Sequence, residues 1–238
     1  MLKIIYITVN FPLMMKSKQL FIGLISEGTT DTRFLYYVID RTIKELIFSF
    51  GGSIEIYIEE LKKDSGKSFV EQVIDANINY QKENYINLLL VHSDADNQDD
   101  SIVQKNKFNP LFEKLEIHPE LFCKEIVPII PVYMIEAWML ADFDLFADEI
   151  STTKSKTELK LNGHPESFTD PKNKIKQALN IINNERPKKR RKELQISDLY
   201  QIIGQKIEIE KLKSLKSFEK FYNNLTMTLE KLHFIHLQ

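Results

Sequence analysis

Residues 19–35 read QLFIGLISEGTTDTRFL. The first eight form a nearly unbroken apolar run, which predicts a buried strand over 19–26. After the break Ser-Glu-Gly-Thr-Thr-Asp, Phe34, Leu35, Val38, Ile39, Ile43, Leu46, Ile47 and Phe50 recur at helical spacing up to Gly51-Gly52. The stretch is a β-α unit with a carboxylate, Glu27, at the switch. Downstream, SIEIYIEEL (53–61) alternates Ile54, Ile56 and Ile58 with polar residues, and a helix over about 68–81 places Phe69, Val73, Ile74 and Ile78 on one face. YINLLLVH (85–92) has the continuous apolar character of a central strand covered on both sides, whereas the two prolines of EIVPIIPVY (125–133) predict an edge strand or an early end. Strands separated by helices imply an α/β fold built on a mostly parallel sheet flanked by helices.

The character changes after Trp138. Residues 148–170 are polar and loop-like, and helices are expected over about 171–184, 194–204 and 215–232, the last with Leu215, Phe218, Phe221, Tyr222, Leu225, Leu229 and Leu232 on one stripe. The plain reading of that stripe is a helix packed on the sheet. The expected organisation is an α/β domain over 14–147 with a helical C-terminal extension over 148–238, and there is no internal repeat.

With 238 residues, 43% hydrophobic and 28% charged, the composition is that of a globular protein. A net charge of −2 means that any attraction to nucleic acid must come from local basic patches. One cysteine, Cys123, excludes an internal disulfide and every multi-cysteine zinc pattern, and suits a cytoplasmic protein. The opening MLKIIYITVNFPLMM resembles a signal peptide superficially, but Pro12 interrupts it and no A-x-A-like site follows. Met14 or Met15 offers an alternative start, which would leave residues 1–13 as an extension or an extra edge strand. No segment reaches the ~20 apolar residues of a membrane span, so no membrane partner is expected.

In a parallel sheet, ligands gather beyond the carboxyl ends of the strands. Glu27 falls at one such end. HSDADNQDD (92–100) falls at another, and Asp94 and Asp96, one residue apart, lie on the same side if the strand continues through them. Three acids meeting on one rim repel one another and commonly recruit a hard divalent cation such as Mg²⁺. The plain alternatives are a capped helix start, with Thr29 or Thr30 as N-cap and Asp31 favoured by the helix dipole, and a solvated acidic turn.

A strand ending in Glu-Gly, a helix, and a later strand ending in Asp-x-Asp resemble the Toprim domain, the metal-dependent module of topoisomerases, bacterial primases and overcoming-lysogenization-defect nucleases. PVYMIEAWMLAD (131–142), GHPESFTDPK (163–172) and SFEKFYNNL (217–225) further resemble a Toprim-like family often encoded beside ABC-type ATPases in prokaryotic defence loci. The resemblance covers most of residues 20–232, and Ile-Glu-Ala-Trp followed by Leu-Ala-Asp is its most distinctive part. It implies that Glu27 is a metal ligand or general acid/base and that Asp94 and Asp96 are metal ligands. Glu136, the acid of Ile-Glu-Ala-Trp, would complete a second metal position or serve as a supporting or helix-capping acid. Lys172 would neutralise charge on a pentacovalent phosphorus, against its plain reading as a surface lysine. His92 is expected to be a locally hydrogen-bonded strand-end residue, and Trp138 a core aromatic.

The run RPKKRRK (186–192) has six basic residues in seven positions. Lys188, Lys189, Arg190, Arg191 and Lys192 are therefore candidate phosphate contacts for DNA or RNA, with a solvated loop or a partner-docking segment as alternatives. The resulting expectation is a Mg²⁺- or Mn²⁺-dependent nuclease acting in phage defence with an ATPase partner, with homo-oligomerisation open. The alternatives are a non-catalytic nucleic-acid-binding or regulatory subunit of such an ATPase complex, and phosphoryl transfer on a small nucleotide.

Overall fold

A computed structural model of the chain describes residues 18–50, 53–117, 123–185 and 193–236. Strands β1 (Lys18–Ile25), β2 (Ile54–Glu60), β3 (Leu88–His92) and β4 (Ile126–Ile129) form an all-parallel sheet in the order β2-β1-β3-β4. β3 is internal, as its apolar run predicts, and begins at Leu88 rather than 85. Just before it, Asn87 exchanges two hydrogen bonds with Phe21: its side chain accepts from the Phe21 N–H and its own N–H donates to the Phe21 carbonyl, both at 2.8 Å. Among the described residues β4 pairs only with β3, and it stops before Pro131. Both features follow from prolines that cannot donate to a ladder.

The period-2 alternation of the strands divides the interior in two. Leu20, Ile22 and Leu24 of β1, Leu88 and Leu90 of β3, and Val127 and Ile129 of β4 face one core. On that side lie α1 (Thr29–Phe50) and the C-terminal helices. Ile25, Leu89 and Val91 face the other core, covered by α2 (Phe69–Gln81) and by the segment made of α3 (Ser101–Val103), a π-helical turn (Gln104–Phe108) and α4 (Asn109–Ile117). Gly23 keeps this second face close: a Cβ there would meet Leu61 and Leu89 at 2.9 Å.

The helical 101–117 segment was not among the sequence expectations. Nor were α5 (Glu136–Met139) and α6 (Phe143–Glu149), which follow β4, or α9 (Ile209–Lys213). The expected helices are α7 (Pro171–Glu185), α8 (Leu199–Lys206), preceded by a 3₁₀ turn over Ile196–Asp198, and α10 (Lys216–Lys231). The polar stretch between α6 and α7 is loop and turn, yet it sends Leu159, Leu161 and Phe168 into the first core. Trp138 is fully buried, edge-on to Phe218 of α10 with ring centroids 5.0 Å apart, and its indole N–H donates to Ser217 Oγ at 2.8 Å. The apolar stripe of α10 therefore packs inward, as its spacing predicts. No helix among the described residues is long and apolar enough to cross a membrane.

A candidate acidic site at the carboxyl ends of the strands

The turn from β1 into α1 explains the acids at its start. The first intrahelical hydrogen bond runs from Thr32 N–H to the Gly28 carbonyl at 3.2 Å, so Gly28 is the N-cap, not Thr29 or Thr30. Asp31, three residues on, accepts the Gly28 N–H on Oδ2 at 2.9 Å, the returning arm of a capping box. Ser26 closes the turn by donating to the Gly28 carbonyl at 2.9 Å. This geometry leaves Glu27 at the strand tip and turns Asp31 inward, with 13% of its side chain exposed.

β3 supplies the groups between them. His92, with no side-chain exposure, shares a hydrogen bond with Asp94 through Nε2 to Oδ1 at 3.1 Å. Its Nδ1 has two neighbours: the Glu27 N–H at 3.4 Å, which suits a neutral ring, and Asp31 Oδ2 at 3.9 Å, which suits a protonated one. Burial opposes charge on the imidazole, but the Asp94 hydrogen bond and the charges of Asp94, Asp31 and Glu27 outweigh it and raise its pKa. Asp94 Oδ1 also accepts the Ile135 N–H at 2.9 Å, which ties the acid to the loop after β4. Ser93 Oγ donates to Glu27 Oε1 at 2.7 Å.

Lys107 comes from the π-helical turn, a distortion frequent at functional sites. Its ammonium donates to Glu27 Oε1 at 3.0 Å and to Ser93 Oγ at 2.7 Å, and lies 5.4 Å from the centre of the Phe69 ring. Burial pushes the Glu27 carboxyl up, but the Ser93 and Lys107 hydrogen bonds and the nearby positive charge bring it below the usual value. Asp96 has the left-handed φ of 52°, and its carboxyl is raised by partial burial and by the charges of Asp94 and Glu27. The Asp31 carboxyl is raised by burial and by Asp94 and Glu136, despite the opposing pull of His92.

Glu136 is the most deeply placed acid of the cluster, with 2% of its side chain exposed. Tyr200 of α8 donates its hydroxyl to Glu136 Oε1, and Lys172 in the first turn of α7 stands 3.1 Å from the same oxygen. Burial disfavours the Lys172 ammonium, but Glu136, Asp31 and Asp94 more than compensate and raise its pKa. Burial and the Glu136 bond likewise raise that of Tyr200. Lys63, after β2, donates to the Glu27 carbonyl at 3.3 Å and is lowered by burial against the pull of Glu27 and Asp31.

β3 ends at His92 and Asp96 turns into the left-handed region, so the strand does not continue through Asp94 and Asp96, and the Asp96 carboxylate joins the other acids through charge alone. Glu27, Asp94, Glu136 and Lys172 share one cluster with Asp31, Ser93, Lys63, Lys107 and Tyr200. Those five were not singled out as site residues from the sequence. For Asp31 the signal was present: an acid three residues into a helix that follows a buried strand. For the others, only tertiary neighbours reveal the role. The candidate phosphate contacts Lys188, Lys189, Arg190, Arg191 and Lys192 lie outside the described residues.

A divalent ion can be tested against this donor set. Among the described residues, no three His, Cys, Asp or Glu side chains are gathered closely enough to hold an ion as they stand. The donors are carboxylate oxygens, the type a hard cation takes, and Asp94 and Glu27 raise the Asp96 carboxyl even against the opposing charge of Lys107. Glu27 Oε1 is at present occupied by the Lys107 ammonium, which an ion would have to displace.

A family described as Domain of unknown function (DUF4276) matches residues 26–226, a span that contains every residue of the cluster. The chain belongs to the DUF4276 family. No curated protein and no solved structure matches it. Within this DUF4276 chain the match begins at Ser26, the residue that closes the turn presenting Glu27 and Asp31.

Proposed function

We propose that this DUF4276 protein hydrolyses phosphodiester bonds of nucleic acid with Mg²⁺ or Mn²⁺, as a Toprim-like nuclease. One observation carries the reading. The carboxylates of two separate strands, Glu27 after β1 and Asp94 after β3, are fixed by the adjacent residues Ser93 and His92, with the charge of Asp96 coupled to both. Glu27, Asp94 and Asp96 would hold the ion, with Glu136 as an acid behind them. When bound, the ion supplies positive charge to phosphoryl oxygens and acidifies water.

The chain's own groups have separate tasks. Glu27, ionised at neutral pH, would either ligate the ion or, where Asp94 and Asp96 hold the ion without it, accept the proton of the attacking water. Lys107 offers its charge to a phosphate once it leaves Glu27. Lys172, held by Glu136, would keep a cation facing the negative charge that develops on the phosphoryl oxygens. His92 and the Ile135 N–H keep Asp94 in one orientation. Action in phage defence beside an ABC-type ATPase belongs to the same reading and rests on the resemblance of residues 131–142, 163–172 and 217–225.

Cleavage of labelled DNA and RNA in Mg²⁺, in Mn²⁺ and in chelator, by wild type and by Glu27→Gln, tests the reading. It requires turnover that disappears both in chelator and in the variant. A second reading, a non-catalytic nucleic-acid-binding subunit of an ATPase complex, draws support from the Lys107–Glu27 and Lys172–Glu136 pairs, which compensate two acids without a metal. It requires nucleic-acid binding with no turnover under any of these conditions.

A further inference from the structure

Beside the acidic rim, on the β4 side, lies a cavity of ≈ 350 Å³. This is near the lower end of the ~300–1,000 Å³ typical of ligand sites, and has room for one nucleotide rather than a base pair. Its position is tied to Asp96. The loop carrying that residue zips onto the loop after β4, with Ala95 N–H donating to the Pro131 carbonyl at 3.0 Å, Asp96 N–H to Tyr133 at 2.9 Å, and Tyr133 N–H to Asn97 at 2.9 Å. Gln98, the residue after Asn97, and Val132, between Pro131 and Tyr133, are both cavity walls.

The charges of the wall are unequal in availability. Its three acids are committed: Glu166 accepts the Lys216 and Ser217 N–H groups at the start of α10, at 3.0 and 2.9 Å, as well as the Ser217 hydroxyl. Asp99 accepts the Ser101 N–H at 2.9 Å and its hydroxyl, and Asp100 is paired with Lys220. By contrast, the side chains of Gln98, His164 and Lys216 make no hydrogen bond or ion pair among the described residues and remain available as donors. The Ile130 and Val132 side chains supply an apolar surface. The aliphatic side chains of Ile130 and Val132 offer van der Waals contact to a base, and the uncommitted donors, with Lys216 the one cation among them, suit its polar edge and the phosphate beside it.

We propose that this cavity holds the nucleotide adjoining the scissile phosphate of a single nucleic-acid strand, with Lys216 on its phosphate. The inference rests on the nuclease reading for the identity of the ligand, but its test does not require turnover. Binding of a fluorescein-labelled 12-nucleotide single strand, DNA or RNA, is measured by anisotropy in chelator for wild type and Lys216→Glu. The dipole of α10 favours a carboxylate in its first turn while Glu166, Asp99 and Asp100 repel it, and because Lys216 is exposed both effects are small, so the variant should melt near the wild-type temperature. Its affinity should fall about tenfold and the slope of log K against log salt should shrink by about 1. Equal affinity and slope in the variant, or no binding by wild type, overturns the assignment. Weakened binding in Lys216→Glu alongside a wild type that cleaves nothing in Mg²⁺ or Mn²⁺ would uphold the cavity and remove the nuclease reading. Metal-dependent cleavage with unaltered binding in the variant would do the reverse.

Discussion

Gly204→Ala sets two effects of opposite sign against each other. In the middle of α8, alanine gains about 1 kcal/mol over glycine from helix propensity. The structure opposes this. A Cβ at Gly204 would stand 2.7 Å from the Phe34 carbonyl oxygen, 3.1 Å from its Cα and 3.3 Å from its carbonyl carbon, all backbone atoms of α1 that no rotamer can move away. Arg41 of α1 also donates to the carbonyls of Gly204 and Ile207, so separating the two helices would disturb that clasp as well. Overpacking costs about 1–3 kcal/mol, and an immovable backbone partner belongs at the upper end, which leaves a net loss of about 2 kcal/mol. For a chain of this size each kcal/mol moves Tm by about 2–4 °C, so the variant should melt ~4–8 °C lower. Thermal melts followed by circular dichroism read the shift. A rise in Tm would mean that α8 does not pack this closely on α1, and would refute the account of how the C-terminal helices join the sheet core.

Asn77 is fully buried in α2 and clasps the backbone of Cys123, donating to its carbonyl at 3.1 Å and accepting its N–H at 3.2 Å. Asn77→Ala strands both backbone groups and should cost about 2–4 kcal/mol in urea denaturation. Glu136→Gln keeps an acceptor for Tyr200 but makes that buried bond neutral and gives up the pairing with Lys172, which at 40% exposure stays hydrated, a change of about 1–2 kcal/mol. Glu136→Ala buries the Tyr200 hydroxyl without its acceptor, so its urea midpoint should lie clearly below that of the glutamine variant. Burial pushes the Cys123 thiol up to about 11. The unfolded thiol loses its proton first, so its contribution to stability is present below about pH 8.5 and falls as pH rises towards 11. Native protein should resist alkylation by iodoacetamide at pH 8.5 and react at once in urea.

The sheet was legible because each strand is buried on both faces or alternates cleanly, and both patterns are local. The 101–117 helices were not, because the π-helical turn separates Val103 from Phe108 by five residues, so the apolar series Val103, Phe108, Leu111, Leu115 breaks the 3–4 spacing that marks a helix. The acids at the strand ends could be picked out by position. Their partners could not. Lys107 and Lys105 are equivalent in the string QKNKF, and only the fold aims Lys107 at Glu27. Glu136 meets Lys172 and Tyr200 from 36 and 64 residues away. Asp31 reads as a helix-start acid and is one, but its second setting beside His92 and Asp94 depends on β3 lying next to β1.

The most direct test of the proposed site is a Mn²⁺ titration followed by electron paramagnetic resonance, comparing wild type with Asp94→Asn. The account predicts saturable binding by the wild type that is lost or weakened at least tenfold in the variant. Identical titration curves for the two proteins, or no saturable binding by the wild type at millimolar Mn²⁺, would contradict it.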